Sequence, residues 1–397
     1  VTELPRTAVP AKVGLAGAIG AVVALMCAFF FSLTPPTALV ILVSGGALPM
    51  WLMEWRPDDE SLLPCTCREA LLGLVAVVVL AGASIWMQLS IGGALGAAVG
   101  DIVLFGLAAA GVAFAIALVR PQWLGENVAK LGRTVESMVA SRRLSAADRT
   151  LVLGWVVKCI FLPLMLGWAL GWLANAEGKI FDSPRLAWFA VPLALMYAID
   201  TAFAAIGYMS TSRRLGAQIR SVDTTWLGWL SALVCYPPLS VWVLDAWLVY
   251  KHGSDWTAWL SLGVSSAYVW GGCILVLTAV YTWATVTFGP RFSNLTHRGV
   301  VTHGPYRWGK HPAYLAKNLS WWLMWVPFVP VMGWKQAAMH SLSLLCVNGI
   351  YYLRARTEER HMRQDPIYRD YAAWIDEHGL FARVRQLFSA FWAARRA

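Results

Sequence analysis

Charge is scarce in this chain: Asp, Glu, Lys and Arg make up only 14% of its 397 residues. A soluble domain carries about 25%, so a surface facing water all round is excluded. Acidic residues are scarcer than basic ones, 22 against 32. The seven cysteines are odd in number and mostly lie inside apolar runs (Cys27, Cys159, Cys235, Cys273, Cys346), where Cys behaves as a small hydrophobe and no disulfide framework is suggested. Cys65-Thr66-Cys67 stands without a nearby His or second pair, which is weak evidence for a metal, and no metal centre is expected. Internal repeats and low-complexity segments are also missing.

Apolar sequence is what the chain has instead. Hydrophobic residues make up 58% and tryptophan occurs 23 times, with a mean hydropathy of +0.57. Runs long enough to cross a bilayer, roughly 17 to 25 residues each, recur from residue 13 to residue 353. They predict an all-α, polytopic transmembrane bundle of about ten helices, over 13–33, 37–55, 69–90, 97–119, 150–174, 185–209, 225–250, 257–287, 314–334 and 336–353. Thr34-Pro35-Pro36 follows the first run without a small-x-small cleavage pattern, so it reads as a retained helix.

Lys and Arg are retained on the cytoplasmic side of short loops. With the N-terminus inside, only Lys179, Arg185, Lys251 and Lys335 of the 32 basic residues fall in outer loops, and both termini are expected to be cytoplasmic. A bacterial inner membrane is the expected location. The formal charge of +10 then reflects topology and attraction to anionic head groups, and no nucleic-acid partner is expected.

Between the fourth and fifth runs, Val128, Leu131, Val135, Met138 and Val139 fall at helical spacing, with Lys130, Arg133, Arg142 and Arg143 on other faces. This predicts an amphipathic helix, either lying on the lipid surface or covering a partner or active site. The basic, aromatic tail after residue 382 reads as another surface helix or as a frayed end. Lys158 and Asp200 lie inside adjacent predicted spans at similar depth, and a charge there is costly. A structural ion pair and a substrate contact both remain open for them.

Chemistry concentrates near the C-terminus. The predicted inner loop Gly289 to Tyr314 holds Arg291, His297, Arg298, His303, Arg307, Lys310 and His311, with turn signals at Gly304-Pro305 and His311-Pro312. After the tenth run, Arg354, Glu358 and His361 share one helical face at i, i+4 and i+7, while Arg356, Glu359, Arg360 and Arg363 fall around the other sides. A short hairpin joins the two clusters on one membrane side, so they must meet. One wall offers cations and imidazoles and the other carboxylates, which suits a zwitterionic cofactor with an amine, a carboxylate and ribose hydroxyls.

The pattern Val301-Thr302-x-Gly304-x-Tyr306, Lys310-His311-Pro312-x-Tyr314, Arg356-Thr357-Glu358-Glu359 and Tyr368-x-x-Tyr371 resembles the isoprenylcysteine carboxyl methyltransferase and phospholipid methyltransferase group of integral membrane enzymes. The resemblance covers roughly residues 257–380 and implies an S-adenosyl-L-methionine site at the cytosolic face. It implies that Gly304, Tyr306, Lys310, His311, Pro312 and Tyr314 shape the cofactor pocket. Glu358 or Glu359 would hydrogen-bond the cofactor's polar end, and Tyr368 and Tyr371 would close the aqueous side. His311, Glu358 and Arg354 are the candidate catalytic residues. Residues 225–397 would form the catalytic domain, and residues 1–224 an added helical region of unassigned role.

Three departures stand out. Lys310 replaces the family's arginine, losing the planar fork, and Ala316 replaces a common glycine. The helix before the motif loop lacks the arginine that, in carboxyl-methylating members, holds the substrate carboxylate; Arg291 or Arg298 would have to take that place. The expected acceptor is a membrane lipid or lipid-linked molecule entering sideways past the Trp-rich "SWWLMW", which also reads as an interfacial belt. The competing expectations are an NADPH-dependent reductase of the sterol reductase type and a non-catalytic transporter or scaffold.

Overall fold

The structure, a computed structural model, describes residues 3–56, 65–92, 99–121, 126–141, 144–182, 184–252, 255–258, 265–382 and 384. Arg142, Arg143 and the tail beyond residue 384 lie outside the described residues. Helices dominate, as the apolar runs predict. Helices α1 (Ala11–Phe30) and α2 (Pro35–Glu54) form a hairpin, and Pro35-Pro36 begin the second where their missing N–H groups cost nothing. A Cβ on Gly20 would lie 2.1 Å from the Gly45 carbonyl oxygen, so the two backbones touch as small residues allow in lipid.

The chain continues through α3 (Cys67–Gly92), α4 (Val99–Val119), α5 (Glu126–Ser141), α6 (Ala146–Asp182) and α7 (Pro184–Met209). Reciprocal capping boxes start two of them. Thr66 and Glu69 exchange side-chain to backbone hydrogen bonds at α3, and Ser145 and Asp148 do the same at α6. Helix α5 is the predicted amphipathic helix. It packs on α3 where Gly73 and Gly132 admit the opposing backbone, burying Ala129 and Leu131 while Val139 stays 81% exposed.

Six described helices are long and apolar enough to span a bilayer: Ala11–Phe30, Pro35–Glu54, Cys67–Ser90, Ala146–Gly178, Arg185–Met209 and Ser266–Thr287. They make this a multi-pass membrane protein by length and composition. The predicted seventh span is not one helix. It holds α8 (Trp226–Leu233), the Pro237-Pro238 break, a five-residue π turn at Val241–Asp245 and a 3-10 turn at Val249–His252. Paired prolines supply no N–H to a helical ladder, which is why the run cannot continue.

The remaining elements are α9 (Ser266–Thr287), α10 (Pro312–Trp325), α11 (Trp334–Met362) and α12 (Pro366–His378). With 14 residues, α10 is shorter than the roughly 17 that a span requires. By contrast α11 runs for 29 residues, so the predicted tenth span continues as helix through the charged segment 354–361. A two-residue bridge, β1 (Ser221–Val222) antiparallel to β2 (Thr296–His297), clips the loop after α7 to the loop after α9.

The core joins the two ends of the chain. Leu42 and Met50 of α2 and Phe203 and Ile206 of α7 belong to the same buried cluster as Val300, Val301, Tyr306, Tyr368 and Tyr371. Lys158 and Asp200, expected as partners or substrate contacts, do not pair. Asp200 accepts hydrogen bonds from Tyr281 Oη (2.7 Å) and Thr285 Oγ1, whereas Lys158 Nζ sits 4.1 Å from the centre of the Trp155 ring.

Candidate functional site

The motif loop is rigid because the rest of the protein holds it at many points. Arg298 is buried and donates to the carbonyls of Ala217, Gly207 and Phe292. Arg291 pairs with Glu54 at 2.7 Å and donates to Gly216, leaving only Nη1 without a partner. Burial lowers the pKa of Arg291, and the Glu54 carboxylate opposes that shift. The Ala8 N–H donates to the Val300 carbonyl, and Thr302 Oγ1 donates to the Pro5 carbonyl. Both arginines considered for a substrate carboxylate are therefore mainly structural, although both border the cavity described below.

Gly304 opens a 3-10 turn with φ of +59°, and a Cβ there would lie 2.9 Å from Thr287 Oγ1. That backbone region and that clearance both favour glycine. His311-Pro312 then start α10, which aims Tyr314 at α11.

There the two predicted clusters meet. Tyr314 Oη donates to Glu358 Oε1. Arg354 Nε donates to the same oxygen at 3.1 Å, and its Nη2 donates to Asn294 Oδ1 at 2.7 Å. The Arg354 guanidinium is buried between the rings of Tyr236 and Tyr314, 5.3 and 5.1 Å from their centres. His311 stacks parallel to Tyr314 and reaches both carboxylates, 3.8 Å from Glu358 Oε2 and 3.3 Å from Glu359 Oε1. Glu358 Oε2 has that long contact alone among the described residues.

The neighbouring carboxylate has a different setting. Lys310, Arg356, Arg363 and His311 surround Glu359 within 4 Å. Burial pushes its pKa up, but the imidazole of His311 and the charges of Lys310 and Arg356 outweigh burial and hold it below the usual carboxylate value. Lys310 binds Asp376 of α12 at 2.8 Å, and Tyr371 Oη donates to the carbonyls of Tyr306 and Gly309, so α12 is fastened over the loop.

These groups enclose a cavity of about 180 Å³. Of the predicted residues, Tyr306, Lys310, His311, Tyr314, Arg354, Glu358, Tyr368 and Tyr371 line it. Gly304, Pro312 and Glu359 are not among its walls, the first two shaping backbone and the third turned to its ring of cations. The imidazole of His303 is also outside the lining. Its ring nitrogens are buried without partners, and burial lowers its pKa.

Sequence reasoning missed Asn294, Tyr236, Tyr281, Thr285 and Lys317, which also line the cavity. Tyr236 had one signal, since it immediately precedes the Pro237-Pro238 break. Lys317 had another, being a cation in a run read as a span.

A second, mostly apolar chamber of about 870 Å³ adjoins the first, sharing Tyr236, Tyr281, Phe292, Lys317 and Tyr351 as walls. Trp168 and Trp172 of α6 and Tyr197 of α7 line it together with Trp321 and Trp325 of α10. Lys317 stands where the two meet, its Nζ over the rings of Tyr281, Trp321 and Tyr351 at 5.3, 5.1 and 5.5 Å. Among the described residues, no three His, Cys, Asp or Glu side chains converge as a metal centre requires. No family model, curated protein or solved structure matches the chain, and the site is read from its own geometry.

Proposed function

We propose that the chain is an integral membrane methyltransferase that uses S-adenosyl-L-methionine and methylates a lipid or lipid-linked acceptor. The observation that carries this reading is the pairing of two cavities through shared walls, one bearing the charged motif residues Lys310, His311, Arg354 and Glu358 and the other walled largely by aromatic and aliphatic side chains. In this reading the motif loop, α12 and both termini face the cytoplasm of a bacterial inner membrane, and the ten-span topology is completed by segments shorter or more broken than the six long helices.

The donor set fits the cofactor. Glu358 Oε2 is open to accept from an ammonium or a ribose hydroxyl, Arg291 Nη1 is a free donor, and Tyr368 and Tyr371 supply aromatic cover. When bound, the cofactor supplies an electrophilic methyl group on a sulfonium, and transfer is an in-line displacement that rewards alignment and exclusion of water. Arg354 is the residue that aligns Glu358, because Asn294 and two aromatic rings fix its guanidinium.

In the apolar chamber, Lys317 takes the place of the arginine missing from α9 as a cation able to hold an acidic acceptor group. An ionised acceptor needs no base. For an amine or hydroxyl acceptor, His311, one of two imidazoles in the cavity wall with His361 and the one beside Glu358, would take the proton.

The test uses the full chain purified in detergent. S-adenosyl-L-methionine should raise the unfolding temperature and NADPH should not. Membranes containing the chain should incorporate labelled methyl groups into extractable lipid, and Glu358→Gln or His311→Gln should lower that at limiting cofactor. Protection by NADPH alone would favour the reductase, and labelling unaffected by both variants would leave no role for this pocket.

A further inference from the structure

Lys158 poses a problem that the proposed chemistry does not solve. It lies in the long apolar helix α6, where an unneutralised charge is expensive. Among the described residues no carboxylate pairs with it; its recorded partner is the face of Trp155. The side chain borders a separate cavity of about 590 Å³ enclosed by α5, the start of α6 and the loop after α7.

That cavity is strongly basic. Among the described residues, Lys130, Arg133, Lys158 and Arg213 line it with one carboxylate, Asp148. Asp148 is already committed, since it accepts from Thr134 Oγ1 at 2.8 Å and from Ser145 N and Oγ at 3.1 and 2.6 Å. These contacts commit Asp148 as an acceptor, so it is not a counter-ion for Lys158. Arg133 has only a long 3.9 Å contact with Glu69. Gln218 adds a buried side-chain oxygen without a hydrogen-bond partner, able to accept from a protonated oxyanion or a bridging water. The roof, α5, turns Met138 and Val139 outward, as a helix seated in the lipid interface would.

We infer that this cavity binds a phosphate group, carried by an anionic phospholipid or arriving as free phosphate, with Lys158 as its deepest contact. A phosphate oxyanion supplies the negative charge that no described residue places beside Lys158. Arg133 can bind it with two parallel N–H groups, and Lys158 binds it as a point charge. The site is separate from the paired cavities and stands whether or not methyl transfer is the chain's reaction.

The experiment compares the full chain in neutral-detergent micelles by native mass spectrometry and thermal unfolding, with added phosphatidylglycerol, phosphatidylcholine or inorganic phosphate. Phosphatidylglycerol should be retained and protective where phosphatidylcholine is not. Lys158→Gln and Arg133→Gln should each weaken it by about tenfold or more, the loss expected for one charged hydrogen bond. Lys158→Arg should keep binding. Lys158→Met, which suits an apolar helix and should fold at least as stably, separates lost binding from lost structure. Protection by inorganic phosphate that depends on Lys158 supports the site and identifies a soluble source; protection by phosphatidylglycerol alone identifies a head group. Equal retention of both lipids with no effect of phosphate, or unchanged binding in folded Lys158→Met, overturns the inference.

Discussion

Replacing Glu358 by Gln removes one charge from the wall of the motif cavity and almost no volume. The Gln oxygen still accepts from Tyr314 and Arg354, so the geometry should survive. What is lost is attraction to a guanidinium 3.1 Å away, for which Coulomb's law gives a ceiling of about 5 kcal/mol at an effective dielectric of 20. Because Glu358 is 29% exposed and a neutral hydrogen bond remains, the net cost should be nearer 1–2 kcal/mol of stability. The open Oε2 also loses its charge-assisted contact to ligand, worth about 1.5–3 kcal/mol, or about 10- to 150-fold in cofactor affinity. Calorimetric titration of S-adenosyl-L-methionine into wild type, Glu358→Gln and Glu359→Gln measures this directly. Glu359, surrounded by its own cations, should be the milder change for binding. The reasoning is refuted if Glu358→Gln binds within twofold of wild type while Glu359→Gln loses the cofactor.

Gly132→Ala places a methyl group 1.8 Å from the Glu69 carbonyl oxygen, so α5 must lift from α3 at a cost of about 1–3 kcal/mol; an unchanged thermal midpoint would contradict this packing. Acidification should destabilise the end of the bundle that carries the motif loop. Burial lowers the pKa values of His297, His303 and His361 below 6.5 in the folded state, with Asp365 opposing the shift at His297. Between the folded and unfolded values the unfolded chain binds more protons, so their contribution is complete above about pH 6.5 and lost as pH falls through the folded values. Denaturant titrations between pH 8 and 5 should show that slope, and His303→Gln should flatten it; greater stability at pH 5 would contradict the assignment.

Much of the membrane layout was legible because apolar length is a local property. The hairpin α1–α2, the amphipathic α5 and the long α6 and α7 all follow from their own residues. The seventh predicted run shows where that reasoning stops, since average hydropathy is blind to the missing N–H groups of Pro237 and Pro238. The site was legible in its parts. His311, Tyr314, Arg354 and Glu358 do converge, because a short hairpin returns α11 beside α10. The choice between Glu358 and Glu359 was not legible, since adjacent positions on a helix differ in facing by about 100°, and only packing shows which one the cations surround. Asn294 and Tyr236 reach Arg354 from distant sequence, and no spacing rule links them.

The two buried arginines of the motif loop also bear on how the protein is made. Glu54 and the carbonyls of Gly207, Gly216 and Ala217 leave the ribosome well before Arg291 and Arg298, which complete them. The first seven helices thus act as a mould on which the later loop is cast. Synthesis of residues 225–397 alone should give a chain whose Arg291 lacks Glu54 and Gly216 and whose Arg298 keeps only the Phe292 carbonyl, whereas co-expression of the two halves should restore the mould and, with it, the pocket.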